Sequence, residues 1–380
     1  MVDHEQHERL IGQIDLAIPA LPDAIRTAFR ALPRQLFIPG VDSALVYADD
    51  SVVLRSHDSP GGPSSSSQPS LMASMLAQLE LRPGHSVLEV GTGSGYNAAL
   101  IAEIVGPTGS VRSIEVQPDV AEAAREALAR AGHGEVEVVA GDALLLDVIG
   151  QREFDRVIVT CSVSDLSPVW TNSLARGGRV VAPLRLTAGL QASVAFANQS
   201  DGSLLADSSI VCGFMPLRSN AEPALGATYA LWNLPLGPGK VLASAGPTPH
   251  PDLVCSWLEG DWVDRPVHGS TSGVRIWLAM TESAMLTVQQ APDSGLWPWL
   301  SAHWATGIIT DQGIALLIGE DTIRGFGSPS AADRLEASIA AWHVANQPGM
   351  ESLDVRLVPP GTVAGALPRR YHDLVVRWRG

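Results

Sequence analysis

The chain has 380 residues and a formal net charge of −15, a length that suits two domains and a charge that argues against nucleic acid or an anionic membrane as partner. No apolar stretch is long enough to span a bilayer, and the first ten residues are polar and mixed in charge, unlike a signal peptide, so a cytoplasmic location is expected. Cys161, Cys212 and Cys255 have neither metal-ligand spacing nor the even number of a disulfide framework, so no metal is expected.

In chain order, residues 22–32 predict a short amphipathic helix with Ile25, Ala28, Phe29 and Leu32 on one side. An irregular passage follows, then a short strand at 51–54. Residues 56–69 contain no apolar side chain to anchor them and read as a flexible loop. The next helix, 70–81, packs through Leu71, Met75, Leu76 and Leu79. Residues 86–100 organise what comes next: Val87, Leu88 and Val90 form a buried strand, and Gly91, Gly93 and Gly95 strip the Cβ atoms from the turn. The chain then restarts as a helix, so backbone N–H groups face a ligand at a helix N-terminus. A second strand, 111–115, ends in Glu115, and a third, 136–142, ends in Gly141-Asp142. With Glu89, these acids mark a crevice at the ends of neighbouring strands.

Residues 118–131 predict an alanine-rich helix, 154–160 and 179–183 further strands, and 191–198 with 209–217 an antiparallel pair. Strands alternating with helices imply a doubly wound α/β domain over 1–218. From about Ser219 the rhythm is lost, and nine of the ten tryptophans lie beyond that point. There 273–280 and 307–319 read as strands, 330 onward as a helix carrying Leu335, Ile339 and Trp342, and 353–358 and 373–378 as final strands. This gives a smaller α+β domain over 219–380.

The turn reads G-x-G-x-G after Glu89, the form found in S-adenosylmethionine-dependent methyltransferases, and not the dinucleotide G-x-G-x-x-G. The pieces around it are specific. Arg34 to Pro39 matches R-x-x-F-x-P, Tyr47-Ala48-Asp49 matches Y-x-D, and Ser67-Gln68-Pro69 matches S-x-P. Phe154 to Thr160 resembles F-D-R-I-I-V-T, and Phe214 to Leu217 resembles F-V-P-L. Together the first ~220 residues resemble the protein-L-isoaspartate O-methyltransferase family, with a C-terminal extension that the family core does not account for. Two departures stand out: G-D-G is Gly141-Asp142-Ala143, and T-I-S has become four serines, Ser64 to Ser67.

The resemblance implies a Rossmann-like class I fold that binds S-adenosylmethionine through Glu89, Gly91, Thr92, Gly93, Ser94, Gly95, Tyr96, Glu115, Val116, Gly141, Asp142, Ala143 and Thr160. Glu115 would accept the ribose hydroxyls and Asp142 the adenine amine. A carboxylate nucleophile is ionised at neutral pH, so no general base is needed, and Ser65 and Ser67 are the candidates to orient it. The implied activity is carboxyl O-methylation of an aspartyl or isoaspartyl side chain in a peptide or protein, the ester then able to cyclise to a succinimide (aspartimide). Long homologues of this kind occur beside genes for ribosomally made peptides, which favours a precursor-peptide substrate recognised by the tryptophan-rich module. General isoaspartate repair, a non-catalytic cofactor-binding module and a small-molecule methyltransferase are the alternatives.

Overall fold

The computed structural model describes residues 3–55, 62–187, 189–199, 201–221, 234–235, 240–244, 249–290, 297, 300 and 304–379. The chain divides into two compact units. One comprises Met1–Leu184, Ala192–Ala227 and Val355–Val375, and the other Arg185–Gln191, Thr228–Asp354 and Val376–Gly380.

The first unit opens with two helices, His4–Ala17 and Asp23–Ala31. The earlier of these was not expected. Its sequence signal is Asp3, whose carboxylate caps the helix by accepting from Gln6 N. Two short strands follow, β1 (Val52–Arg55) and β2 (Ser64–Ser66), paired antiparallel. The expected flexible loop is therefore partly a strand, and residues 56–61 of that expectation lie outside the described residues.

The main sheet uses β3 (Ser86–Val90), β4 (Ser110–Glu115), β5 (Glu137–Ala140), β6 (Phe154–Val159), β7 (Leu174–Thr187), β8 (Leu190–Asn198) and β9 (Leu204–Val211). β7, β6, β3, β4 and β5 lie side by side in that order and run parallel. Parallel strands are covered on both faces, so β3 is apolar at Val87, Leu88 and Val90, all buried. Helix Pro69–Leu79 leads into β3, and helices Tyr96–Val105 and Pro118–Arg130 join β3 to β4 and β4 to β5. The fold is the doubly wound class I methyltransferase architecture. β8 pairs antiparallel with β9, which lies earlier in the chain than the expected 209–217.

The second unit is built on β10 (Leu234–Pro235), β11 (Lys240–Ser244), β12 (Trp262–Pro266), β13 (Met285–Gln290), β14 (Trp304–Ile309), β15 (Gly313–Ile318) and β16 (Thr322–Gly327). They form one seven-stranded sheet in the order β10-β11-β13-β14-β15-β16-β12. Both faces are buried, and β15 shows how. Ile314 and Leu316 pack with Val254 and Leu258 of helix Pro251–Leu258, while Ala315 and Leu317 pack with Leu335, Ile339 and Trp342 of helix Ser330–Val344.

Residues 273–280, expected as a strand, fold as the helix Val274–Thr281. Residues 307–319, expected as one strand, are interrupted by a turn in which Thr310 N donates to Gly313 O.

Three late strands, β17 (Leu353–Val358), β18 (Leu367–Pro368) and β19 (Asp373–Trp378), join the main sheet in the order β18-β19-β17-β9. β17 pairs antiparallel with β9, Arg356 facing Leu205. The boundary expected at 218/219 thus differs from the observed division, because residues 355–375 return to the first unit. Local pattern identified β17 and β19 but not the two-residue β18, and the partner of β17 is far away in sequence.

Candidate active site

The site is built where β3, β4, β5 and β6 end together. Gly91 N donates to Ile114 O (2.8 Å), Gly141 N to Glu115 O (2.8 Å), and Thr160 N to Val90 O (2.9 Å), so the four strand ends are stitched into one rim. Gly91 has φ +98°, and a Cβ there would stand 2.5 Å from Thr160 Oγ1. Only glycine lets that hydroxyl close on the turn, where it donates to Gly91 O at 2.7 Å. At Gly93, φ +53°, a Cβ would stand 3.3 Å from Ser65 O, so the serine hairpin lies directly across the glycine turn.

The Glu115 carboxylate accepts from Gly93 N (3.0 Å) and Gln117 N (3.2 Å). Each oxygen keeps lone-pair capacity, which is what two ribose hydroxyls require. Glu89 has a supporting part instead. It is fully buried beneath the turn and accepts from Asn97 Nδ2 at 2.7 Å and from Ser113 Oγ at 2.5 Å. Ser113 Oγ in turn lies 2.6 Å from Thr92 Oγ1, so the turn is fastened to β4 through side chains. Burial pushes the Glu89 carboxyl up to about 7, against the lowering effect of those two donors.

Other expected residues divide between the rim and its support. The Ser94 hydroxyl accepts from Tyr96 N and starts helix Tyr96–Val105, and Val116 is half-buried beside Glu115. The Tyr96 ring points away from the turn: it packs against Phe29 and Phe37, and its hydroxyl donates to Leu32 O. Asp142 follows β5, and its Oδ2 accepts from Ser219 Oγ (2.7 Å), Asn220 N (3.0 Å) and Ala221 N (3.2 Å). Ala143 is buried, and its carbonyl accepts from Trp170 Nε1.

The serine hairpin is held from below by Arg34, a residue not expected in the site. Its guanidinium is fully buried and donates to Val46 O, Ala48 O and Asp50 O on one side, and to Ser66 O, Ser66 Oγ and Ser67 O on the other. Desolvation lowers its pKa to about 10, so it stays charged at neutral pH. Asp49 accepts from Gln68 Nε2 and Ser70 N, fixing the start of helix Pro69–Leu79. Arg55 Nη1 donates to Gln117 Oε1 and pairs with Asp119, tying β1 to the segment after β4. The R-x-x-F-x-P and Y-x-D pieces were the available signals for Arg34 and Asp49. With Ser64 and Ser66 buried, Ser65 and Ser67 are left half-buried, and among the described residues their hydroxyls have no hydrogen-bond partner.

The glycine turn, an acid with spare acceptor capacity and unspent hydroxyls across the crevice fit a methyl donor carrying a ribose. The protein-L-isoaspartate(D-aspartate) O-methyltransferase (PCMT) family model matches residues 5–222, more than half of the chain. The chain belongs to this family. It is a carboxyl O-methyltransferase of the PCMT family, and its cofactor is S-adenosylmethionine.

A curated protein-L-isoaspartate O-methyltransferase of Methanoculleus marisnigri is 38% identical over 162 residues, covering 43% of this chain and 69% of the relative. One of Hyperthermus butylicus is 34% identical over 227 residues, covering 56% of this chain and 88% of the relative. A solved protein-L-isoaspartate O-methyltransferase structure aligns with 97% of this chain and 99% of its own, with a TM-score of 0.53 at 22% identity, a likeness of fold. No helix among the described residues is long and apolar enough to cross a membrane, and no cluster of described residues could hold a metal ion.

Proposed function

We propose that the protein methylates the side-chain carboxylate of an isoaspartyl or aspartyl residue within a polypeptide, and that its substrate is a ribosomally made precursor peptide. The observation that carries the reading is the hairpin of Ser65 and Ser67 lying across Gly93, with hydroxyls uncommitted among the described residues and Glu115, at the end of β4, accepting from Gly93 N.

S-adenosylmethionine supplies an electrophilic methyl on a positively charged sulfur. Glu115 and the glycine turn would hold the ribose, and Asp142, the acid at the neighbouring strand end, would take the adenine amine by exchanging its present donors. Ser65 and Ser67 would donate to one carboxylate oxygen and leave the other free to attack in line. The new bond is C–O and the broken bond is C–S. The carboxylate loses its negative charge as the sulfur loses its positive one, so no proton moves and no general base is required. Neutral hydroxyl donors orient the nucleophile without the strong pairing a cation would impose. The resulting ester can be attacked by the following backbone nitrogen, giving a succinimide and methanol that carries off the amide proton.

Most of the second unit, from Thr228 on, lies beyond residues 5–222 that the family model matches, and we assign it to recognition of the substrate chain. General isoaspartate repair is the alternative. The test presents the full-length enzyme with S-adenosylmethionine and matched peptides containing L-isoaspartate, L-aspartate or neither, together with any precursor peptide encoded next to the gene. Mass spectrometry follows methyl gain and then methanol loss. Methylation of unrelated isoaspartyl peptides as fast as the precursor would return the enzyme to repair, and no methylation of any peptide would end the carboxylate reading.

A further inference from the structure

The second unit contains a cavity of about 310 Å³ that methyl transfer does not use. It is lined by Val267 and His268 just past β12, Ile323 of β16, and Glu336, Ile339 and His343, which share one face of helix Ser330–Val344. At the small end of the ~300–1,000 Å³ range of ligand pockets, it takes a single side chain and not a cofactor.

Its polar groups are specific. The His343 Nδ1 lies 3.1 Å from Gln347 Nε2, an amide nitrogen that donates, so Nδ1 is the acceptor of the ring and Nε2–H its donor. That Nε2 is buried and has no hydrogen-bond partner, a cost the fold bears unless something arrives to accept. Gly269, with φ +92°, faces the same ring edge. A Cβ there would stand 3.4 Å from Nε2, so the glycine leaves the approach open. Glu336 is 61% exposed and among the described residues is reached only by Arg265, at 3.3 Å, which leaves acceptor capacity. β12, which runs into the cavity wall, is the edge strand of its sheet, with Trp262 46% and Val263 68% exposed. An open strand edge is a template for an extended chain.

We propose that the cavity and the β12 edge together bind an extended stretch of the polypeptide substrate. A leucine- or phenylalanine-sized side chain fills the cavity, the backbone carbonyl beside it accepts from His343 Nε2–H, and Glu336 takes a neighbouring N–H or basic group. The net charge of −15 favours a basic segment. This inference rests on the reading that the substrate is a polypeptide, and the experiment separates the two.

Ala340, exposed on the same helix and also lining the cavity, allows it to be plugged without disturbing the core. Full-length wild type, Ala340→Trp and His343→Phe are compared on isoaspartyl peptides of one length. One peptide has no apolar residue, and the others carry a single leucine at different distances from the isoaspartate. The leucine should lower KM at some distances for wild type. Ala340→Trp should raise that KM about ten-fold or more, the loss expected for one buried apolar side chain, with kcat and the leucine-free peptide unaffected. His343→Phe keeps the ring and loses the donor, and should raise KM by about three- to ten-fold. Wild-type KM in both folded variants at every leucine position overturns the site. If no peptide is methylated, the same peptides with a fluorophore are titrated by anisotropy. Leucine-dependent binding lost in Ala340→Trp upholds the cavity while the proposed activity fails, and binding indifferent to leucine overturns the cavity too.

Discussion

Replacing Glu115 with alanine tests the centre of the site, because that carboxylate does two separable things. It accepts from Gly93 N and Gln117 N, holding the glycine turn against the end of β4, and it has capacity left for the ribose hydroxyls. Losing the first function leaves two backbone donors in a half-buried position; at ~1 kcal/mol for each lost bond, the fold should lose about 2 kcal/mol. Losing the second removes charge-assisted hydrogen bonds worth ~1.5–3 kcal/mol, which is about one to two orders of magnitude in cofactor affinity. Calorimetric titration with S-adenosylmethionine and a thermal melt of the same sample measure both. Glu115→Gln, which keeps one acceptor oxygen, should fall between wild type and alanine in each measurement. A lowered melting temperature with unchanged affinity would refute the ribose assignment and leave Glu115 as a brace for the turn.

Ser67→Ala should lower turnover by ~10- to 1000-fold with cofactor affinity unchanged, by comparison with other positioned donors, and equal single-turnover rates would show the hairpin to be structural only. Arg34→Met should destabilise the first unit by about 3 kcal/mol or more in urea, because it leaves several buried carbonyls without a donor, and Arg34→Lys should rescue little, since an ammonium cannot span both sides. Glu89 has a folded pKa of about 7 against an ordinary 4.5, so the native state holds its proton more tightly than the unfolded chain. Its stabilisation is complete below about pH 4.5 and is lost as pH rises to about 7, by up to ~3 kcal/mol. Glu89→Gln should flatten that part of the stability profile, and an unchanged slope would show that another group titrates there.

How far the sequence could be read depended on whether the deciding interactions were local. The glycine turn, β3, β4 and Glu115 were legible because glycine spacing, apolar runs and an acid at a strand end lie within thirty residues of one another. Residues 274–281 were not. Val274, Ile276 and Leu278 are all buried at strand-like spacing, and the helix is settled by packing in the cluster that also holds Leu335 and Trp342. The four serines read as part of a flexible loop, since serine has little strand propensity and no apolar neighbour anchors them. What makes Ser64–Ser66 a strand is Arg34, some thirty positions earlier. Trp297 is 2% exposed in the core of the second unit, while Pro298 and Trp299 lie outside the described residues. Recognition by that unit is therefore better sought at its cavity and edge strand than in its tryptophan count.

The returning strands decide how that recognition can be tested. Cutting the chain after Arg218 looks like the direct way to free the catalytic unit, but β17 pairs with β9, and the segment before β19 reaches the loop after β6. There Asp165, fully buried, accepts from Tyr371 N at 2.6 Å, His372 N at 3.0 Å and His372 Nδ1 at 2.7 Å. A truncated chain would bare the edge of β9 and leave a buried carboxylate stripped of three donors, a loss on the order of 3–5 kcal/mol. It should melt earlier, and it should lose activity on every peptide alike, whatever the second unit recognises. Selective loss on one substrate can be read only with residues 355–375 in place. An internal replacement of 228–354 by a short linker keeps them. If that variant folds and methylates a leucine-free isoaspartyl peptide normally, any remaining defect on the longer substrate belongs to the second unit. If the truncation at Arg218 instead proves as stable as the full chain, the contact at Asp165 contributes nothing, and the late strands are ornaments on a domain complete without them.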